Sequence, residues 1–152
     1  MGLELITEYA PVIIRQMRGQ LSDETVKAQL DGIAEQLALA DRKGIKIVTV
    51  VDMAQAARPN AVQRSMQSAW FEKHEEMLRR VNLGSAFVVR SQLVRGAITA
   101  VFWMRPLPHP HTVVTNLGDA LDWAIDKLRA ANITPPDRLV YDRASALLDL
   151  TA

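Results

Sequence analysis

The chain has 152 residues, of which 49% are hydrophobic and 23% are charged, with a formal net charge of +1. This length and composition predict one globular domain with a buried core and argue against disorder. A charge so close to zero gives no support for broad electrostatic binding to nucleic acid. Cysteine is absent, which excludes disulfides, thiolate metal ligands and cysteine nucleophiles.

The amino-terminal residues predict where the chain resides. They read MGLELITEYAPVII, with early acids and without the basic-then-apolar pattern of a secretion signal. No apolar run approaches the roughly 18 residues that a membrane span requires. We therefore expect a cytoplasmic protein that does not insert stably into a membrane.

The first part of the chain predicts two short strands followed by a long helix. The strands cover residues 4–9 and 12–18, and Pro11 marks the turn between them because proline has no backbone donor. Ser22 suits the helix start and Gly44 suits its end.

Residues 45–52, reading IKIVTVVD, form the centre of the predicted fold. Near-continuous β-branched and apolar residues are typical of a parallel strand that is buried on both faces. Asp52 is predicted to end this strand, at the edge where open α/β sheets usually bind ligands. Residues 53–59 are predicted to form a loop.

The next elements alternate between helix and strand. Asn60 and Gln63 form a capping box for a helix that runs to about Val81, and residues 85–89 predict another buried strand. Residues 92–104 leave two alternatives open. The spacing of apolar residues favours a helix, whereas the short, partly β-branched run ITAVFWM also suits a strand.

The end of the chain predicts a strand at residues 112–115 and a helix at residues 117–131. Residues 136–152 form a tail that is too apolar for a free linker. We expect the domain to span residues 1–132, and the tail, residues 133–152, to pack on the domain or on a neighbouring subunit.

The predicted order is β-β-α-β-α-β-α-β-α, and four segments carry a resemblance to a known family: VIIRQMRG, KIVTVVD, AFVVRSQLVRGAITAVFW and NLGDALDWAIDKL. Over residues 6–131 the chain resembles the STAS domain of anti-anti-sigma factors, and more closely the bacterial STAS/SEC14-like branch. The resemblance implies an α/β fold with a mostly parallel sheet of four to five strands and about four helices. It also implies a regulatory or protein-interaction role or, from its lipid-transfer side, a carrier of a small ligand.

STAS regulators carry a phosphorylatable Ser or Thr just after the Asp of the central strand. Here Asp52 matches, but Met53, Ala54 and Gln55 follow it, and none has a hydroxyl group. The sequence therefore predicts a module without the usual phosphorylation switch. The alternative role of Asp52 is structural, as an acceptor for backbone N–H groups.

An anion site is predicted at the carboxyl edge of the sheet. Two helix starts meet there, and their unpaired N–H groups together with arginine donors suit a phosphate or carboxylate. The residues of this site are Asp52, Arg58, Asn60, Arg90, Ser91 and Arg95. The alternative is that these arginines only keep the surface solvated.

The sequence offers little support for metal binding or catalysis. His109 and His111 lie in a proline-rich connector, but only His74 remains as a further histidine, and a metal site needs three or four ligands. A solvated loop is therefore predicted there, with no cofactor. Known nucleophile and phosphate-loop motifs are missing, and Asp52 is the only acid–base candidate, so we predict that the protein is not an enzyme.

Apolar residues at the end of the third helix exceed what one buried face requires. Residues 101–104 read VFWM, so a helix there points apolar groups to more than one side. We predict an interface that contains Phe102 and Trp103, together with Leu147 and Leu148 of the tail. The expected partner is another protein or a second copy of the chain in a homodimer. The alternative function is that of a carrier of a small lipophilic or anionic ligand.

Overall fold

A five-stranded sheet with helices on both faces forms the protein. A computed structural model describes residues 2–104 and 106–144. Its elements in chain order are β1 (Gly2–Ile6), β2 (Val12–Gly19), α1 (Asp23–Lys43), β3 (Ile47–Ala56), α2 (Ala61–Val81), β4 (Asn82–Val88), α3 (Gln92–Met104), β5 (His111–Val114), α4 (Leu117–Ala130) and α5 (Asp137–Ala144). The strand order is β1-β2-β3-β4-β5, and only β1 runs antiparallel to its neighbour.

Helices cover the two faces of the sheet unequally. The three crossovers between parallel strands advance in one direction, and right-handed crossovers of that kind place their helices on the same face. Accordingly, α1 and α2 pack over the first three strands, and α3 lies over the carboxyl ends of the later strands. The opposite face packs against α4 and α5.

The central strand is longer than the sequence predicted. It continues to Ala56, through most of the predicted loop at residues 53–59, so the prediction that Asp52 ends the strand is wrong. The pairing explains the difference, because Gly19 at the end of β2 pairs with Ala56 after a bulge. Continued ladder hydrogen bonds from β2 keep residues 53–56 extended.

Residues 92–104 are helical, which resolves the helix-or-strand alternative in favour of the helix. The described chain contains five helices, one more than predicted, because α5 forms within the predicted tail. Leu139 of α5 is fully buried in the core beneath α4. The predicted interface residues Leu147 and Leu148 lie outside the described residues.

Hydrogen bonds tie α1 and α2 together at both ends. Near their starts, the Gln63 side chain donates to the Leu21 carbonyl at 2.8 Å and to Asp23 at 3.0 Å. Near their ends, Arg80 pairs with Asp41 at 2.9 Å. These contacts fix the two helices as one layer over β1, β2 and β3.

We expect Leu139→Ala to destabilise the protein by about 2–5 kcal/mol, because it removes a fully buried side chain from the core beneath α4. Urea unfolding followed by circular dichroism measures this change. Val140→Ala, an exposed position on the same helix, is the matched control and should change stability by less than about 0.5 kcal/mol. Equal effects of the two substitutions would show that α5 does not contribute to the core.

Candidate functional site

The helix α3 is unusual because none of its residues, 92–104, is buried. Leu93 is 85% exposed and Trp103 is 86% exposed, and Val94, Val101 and Met104 are exposed as well. None of the exposed residues of this helix is charged. Apart from the exposed polar residues Gln92 and Thr99, the outward side of α3 is therefore an uncharged apolar surface, of the kind that marks a binding site.

Two half-buried side chains hold α3 against the sheet. Ile98 and Phe102, one helical turn apart, pack on the cluster formed by Met17, Val51, Phe87 and Val89. The ring centroid of Phe102 lies 5.1 Å from that of Phe87 and 4.8 Å from that of His111. Within residues 92–104, no side chain hydrogen bonds to another element of the described chain, in contrast to α1 and α2.

Beside this cluster lies a buried cation. Arg15 on β2 is 7% exposed, and its Nη2 donates to Oε1 of Gln29 on α1, which is 4% exposed. Among the described residues no carboxylate pairs with Arg15, and its Nε and the Nε2 of Gln29 have no partner. Burial lowers the pKa of Arg15 to about 10, because the charged form loses its hydration.

Strand register places this cation in a row with apolar side chains. Arg15 pairs with Leu5 on one side and with Val51 on the other, and Val51 pairs with Phe87. The row therefore runs from the cluster beneath α1 and α2 into the cluster beneath α3. Arg15 stands at the boundary between the two.

The residues of the predicted anion site are divided between two faces of the sheet. Asp52 is buried toward α4, where it accepts hydrogen bonds from Gln16 Nε2 at 3.0 Å and from the Ala54 N–H at 3.1 Å. On the α1–α2 side, the Asn60 side chain caps α2 and also donates to Asp23 at 3.2 Å. The structure does not bring these two side chains together.

The remaining residues of that site lie on the surface. Arg58, Arg90 and Ser91 are exposed, and the hydroxyl of Ser91 accepts from the Val94 N–H at the start of α3. Arg95 is half-buried and lines an open groove between α3 and β5. Anion binding by these residues stays a prediction.

His109 differs from the predicted solvated loop, since it is 8% exposed. Its Nε2 lies 2.8 Å from Ser85 Oγ and 3.4 Å from the Asn82 amide nitrogen, which also donates to Ser85. Burial, helped by the nearby charge of His111, lowers the pKa of His109 to about 4.

The Arg15–Gln29 pair was missed by the sequence reasoning, although a signal for it was present. Arg15 shares the inward alternation of Ile13 and Met17 within an apolar strand. Gln29 lies within the inward stripe of α1, between Val26 and Ile33. A polar residue at an inward position of each of two neighbouring elements predicts a buried polar pair.

Among the described residues, no group of three or more His, Asp or Glu side chains is placed to hold a metal ion. No helix in this part of the chain is both long enough and apolar enough to cross a membrane.

Sequence comparison matches the chain to no family model and to no curated protein. Among solved structures, it is similar to an uncharacterized protein of the DUF3478 family with a SpoIIAA-like fold from Shewanella loihica PV-4. The TM-score is 0.60 and the identity is 19%, over 81% of this chain and 92% of that chain. At this identity the likeness concerns the fold alone, and it confirms the STAS-like fold that the sequence resemblance implied.

The low pKa of His109 predicts a loss of stability in mild acid. Below its usual pKa of 6.5 the unfolded chain binds a proton that the folded protein excludes until about pH 4. The contribution of neutral His109 to the free energy of unfolding is therefore complete above about pH 6.5. It falls toward pH 4, by on the order of 3 kcal/mol.

Urea unfolding at several pH values measures this loss in the original protein and in His109→Gln. The variant should lose less stability between pH 6.5 and 4, since its amide does not titrate. His111→Gln, at an exposed neighbouring position, should retain most of the original slope because burial is the larger cause of the shift. An unchanged slope in His109→Gln would contradict the assignment.

Proposed function

We propose that this protein is a non-catalytic STAS-like interaction module that binds a second copy of its own chain through α3. The observation that carries this proposal is the uncharged apolar outward side of α3, with Leu93 at one end and Trp103 at the other. Burying such side chains at an interface removes apolar area from water, which contributes about 25 cal/mol per Å².

The small residues of α3 also favour a protein partner. Gly96, Ala97 and Ala100 are exposed between the two apolar ends, and nothing lies within 4 Å of the position of an added Cβ at Gly96. A second helix can approach closely at such positions, because no large side chain separates the two backbones. A homodimer that pairs the outward sides of two α3 helices would bring two backbones together at these small residues.

We also propose that this module is not regulated by the phosphorylation switch of STAS regulators. Two features of residues 53–55 support the absence of that switch. Residues 53–55 lack hydroxyl groups, and they lie inside β3 rather than in a turn that a kinase could reach. Association would then depend on the concentration of the partner and not on modification of this strand.

Trp103→Glu should weaken self-association, because a carboxylate buried in an apolar interface is desolvated without a partner. Sedimentation equilibrium over a range of concentrations should show a dimer for the original protein and a dissociation constant at least tenfold higher for the variant. Val62→Glu, which changes an exposed apolar residue on α2, is the matched control and should leave association unchanged. A monomer at every concentration in the original protein would overturn the homodimer.

A second candidate function is that of a carrier for a small lipophilic ligand bound between α3 and the sheet. The small contact between α3 and the sheet favours this function, since Ile98 and Phe102 are the only side chains of α3 that pack on the apolar cluster among the described residues. A helix with so few inward contacts moves away from the sheet at low cost.

For the carrier, we expect native mass spectrometry of freshly purified protein to show an added mass that is lost when the same sample is denatured. The added mass is expected on each chain, because the ligand lies within one subunit. Phe102→Asp should lower the occupied fraction, since it places a charge against Phe87. A sample that contains only bare chains, before and after incubation with a lipid extract, would rule out the carrier.

A further inference from the structure

We propose that Arg15 and Gln29 form the head-group site for a single-chain amphiphile with a carboxylate head, whose apolar chain lies beneath α3. This inference rests on the carrier function proposed above and names its ligand class. The site joins the two apolar clusters on the α1–α3 face of the sheet, at the point where Arg15 separates them.

The unpartnered atoms indicate which chemical group suits this position. Arg15 Nε and Gln29 Nε2 are both N–H donors, and both are buried without a partner among the described residues. Only an acceptor satisfies two donors, and a carboxylate has two acceptor oxygens and no donor. One oxygen can accept from Arg15 Nε while the other accepts from Gln29 Nε2.

Charge favours the same group. A buried guanidinium without a carboxylate partner is costly, because its hydration is lost and nothing in the described chain neutralises it. Arginine remains protonated at neutral pH, and its Nε–H can donate a charge-assisted hydrogen bond to a carboxylate oxygen. An anionic head group is therefore expected to bind more tightly at this position than a neutral one.

The register of the strands indicates where the apolar chain of the ligand lies and how long it is. From Arg15 the same row continues through Val51 and Phe87 to Val113 on β5, all on the face that α3 covers. Three strand spacings of about 4.8 Å give a path of about 14 Å. A saturated chain of medium length, as in dodecanoate, matches this path when α3 rises from Phe87.

The test compares dodecanoate with dodecanol, which has the same chain and a neutral head group. Isothermal titration calorimetry on the full chain, with both ligands below their aggregation concentrations, measures the dissociation constants. We expect the original protein to bind dodecanoate about tenfold or more tightly than dodecanol, the difference that a charge-assisted hydrogen bond supplies.

The decisive variant is Arg15→Met, which keeps a long side chain and removes the charge. It should bind dodecanol as the original protein does and should lose the preference for dodecanoate. Arg15→Lys should bind dodecanoate with intermediate affinity, because it keeps the charge but lacks the fixed, planar arrangement of donors that serves Gln29 and the carboxylate together. The double variant Arg15→Met with Gln29→Leu, in which both polar partners are apolar, checks that the interior folds without the pair.

The outcomes separate this inference from the carrier function on which it rests. If neither ligand binds to the original protein, the carrier and the head-group site both fail. If both ligands bind and Arg15→Met leaves the preference for dodecanoate unchanged, the carrier stands and the head-group site is overturned. Equal weakening of both ligands in Arg15→Met, with a lower unfolding midpoint, would assign Arg15 a structural role and also overturn the site.

Discussion

Three crossovers of one hand place α1, α2 and α3 on the same face of the sheet, and much of the protein's surface chemistry depends on this constraint. A helix with its side chains is about 10 Å across, whereas strands lie about 4.8 Å apart, so three helices more than fill a face of five strands. The first two helices cover β1, β2 and β3 and bond to each other at both ends. The third helix is left at the margin, where only one narrow stripe of its surface meets the sheet.

The position of α3 explains two features that the core alone does not require. Its outward side remains apolar and exposed, although a helix that only covered a sheet would carry polar residues there. Its inward side contributes Ile98 and Phe102 to a cluster that stays separate from the core beneath α1 and α2. Arg15 lies where these two clusters meet, so the polar pair marks the border between a tightly packed layer and a lightly packed one.

Much of this fold could be predicted from residue patterns. The caps at Ser22, Asn60 and Gly44 located helix ends because each satisfies backbone groups locally. The end of β3 could not be predicted in this way, because residues 53–56 are extended only through pairing with β2, a contact between distant parts of the chain. The exposed apolar residues of α3 were predictable, since four consecutive apolar positions exceed one helical face. The burial of His109 could not be predicted, because it depends on contacts with Asn82 and Ser85, which lie on another strand.

The two functions proposed for this protein use opposite sides of the same helix, which couples them physically. Pairing of the outward sides fixes α3 from above, and a ligand chain beneath it has to lift Phe102 from Phe87. Because both events act on one helix that the rest of the domain holds weakly, each changes the free energy of the other. A dimer that favours the seated helix weakens ligand binding, and a ligand that raises the helix weakens such a dimer. In our proposal the buried charge of Arg15 decides which of the two states is favoured, since no carboxylate among the described residues pairs with this cation and an anionic ligand would supply one.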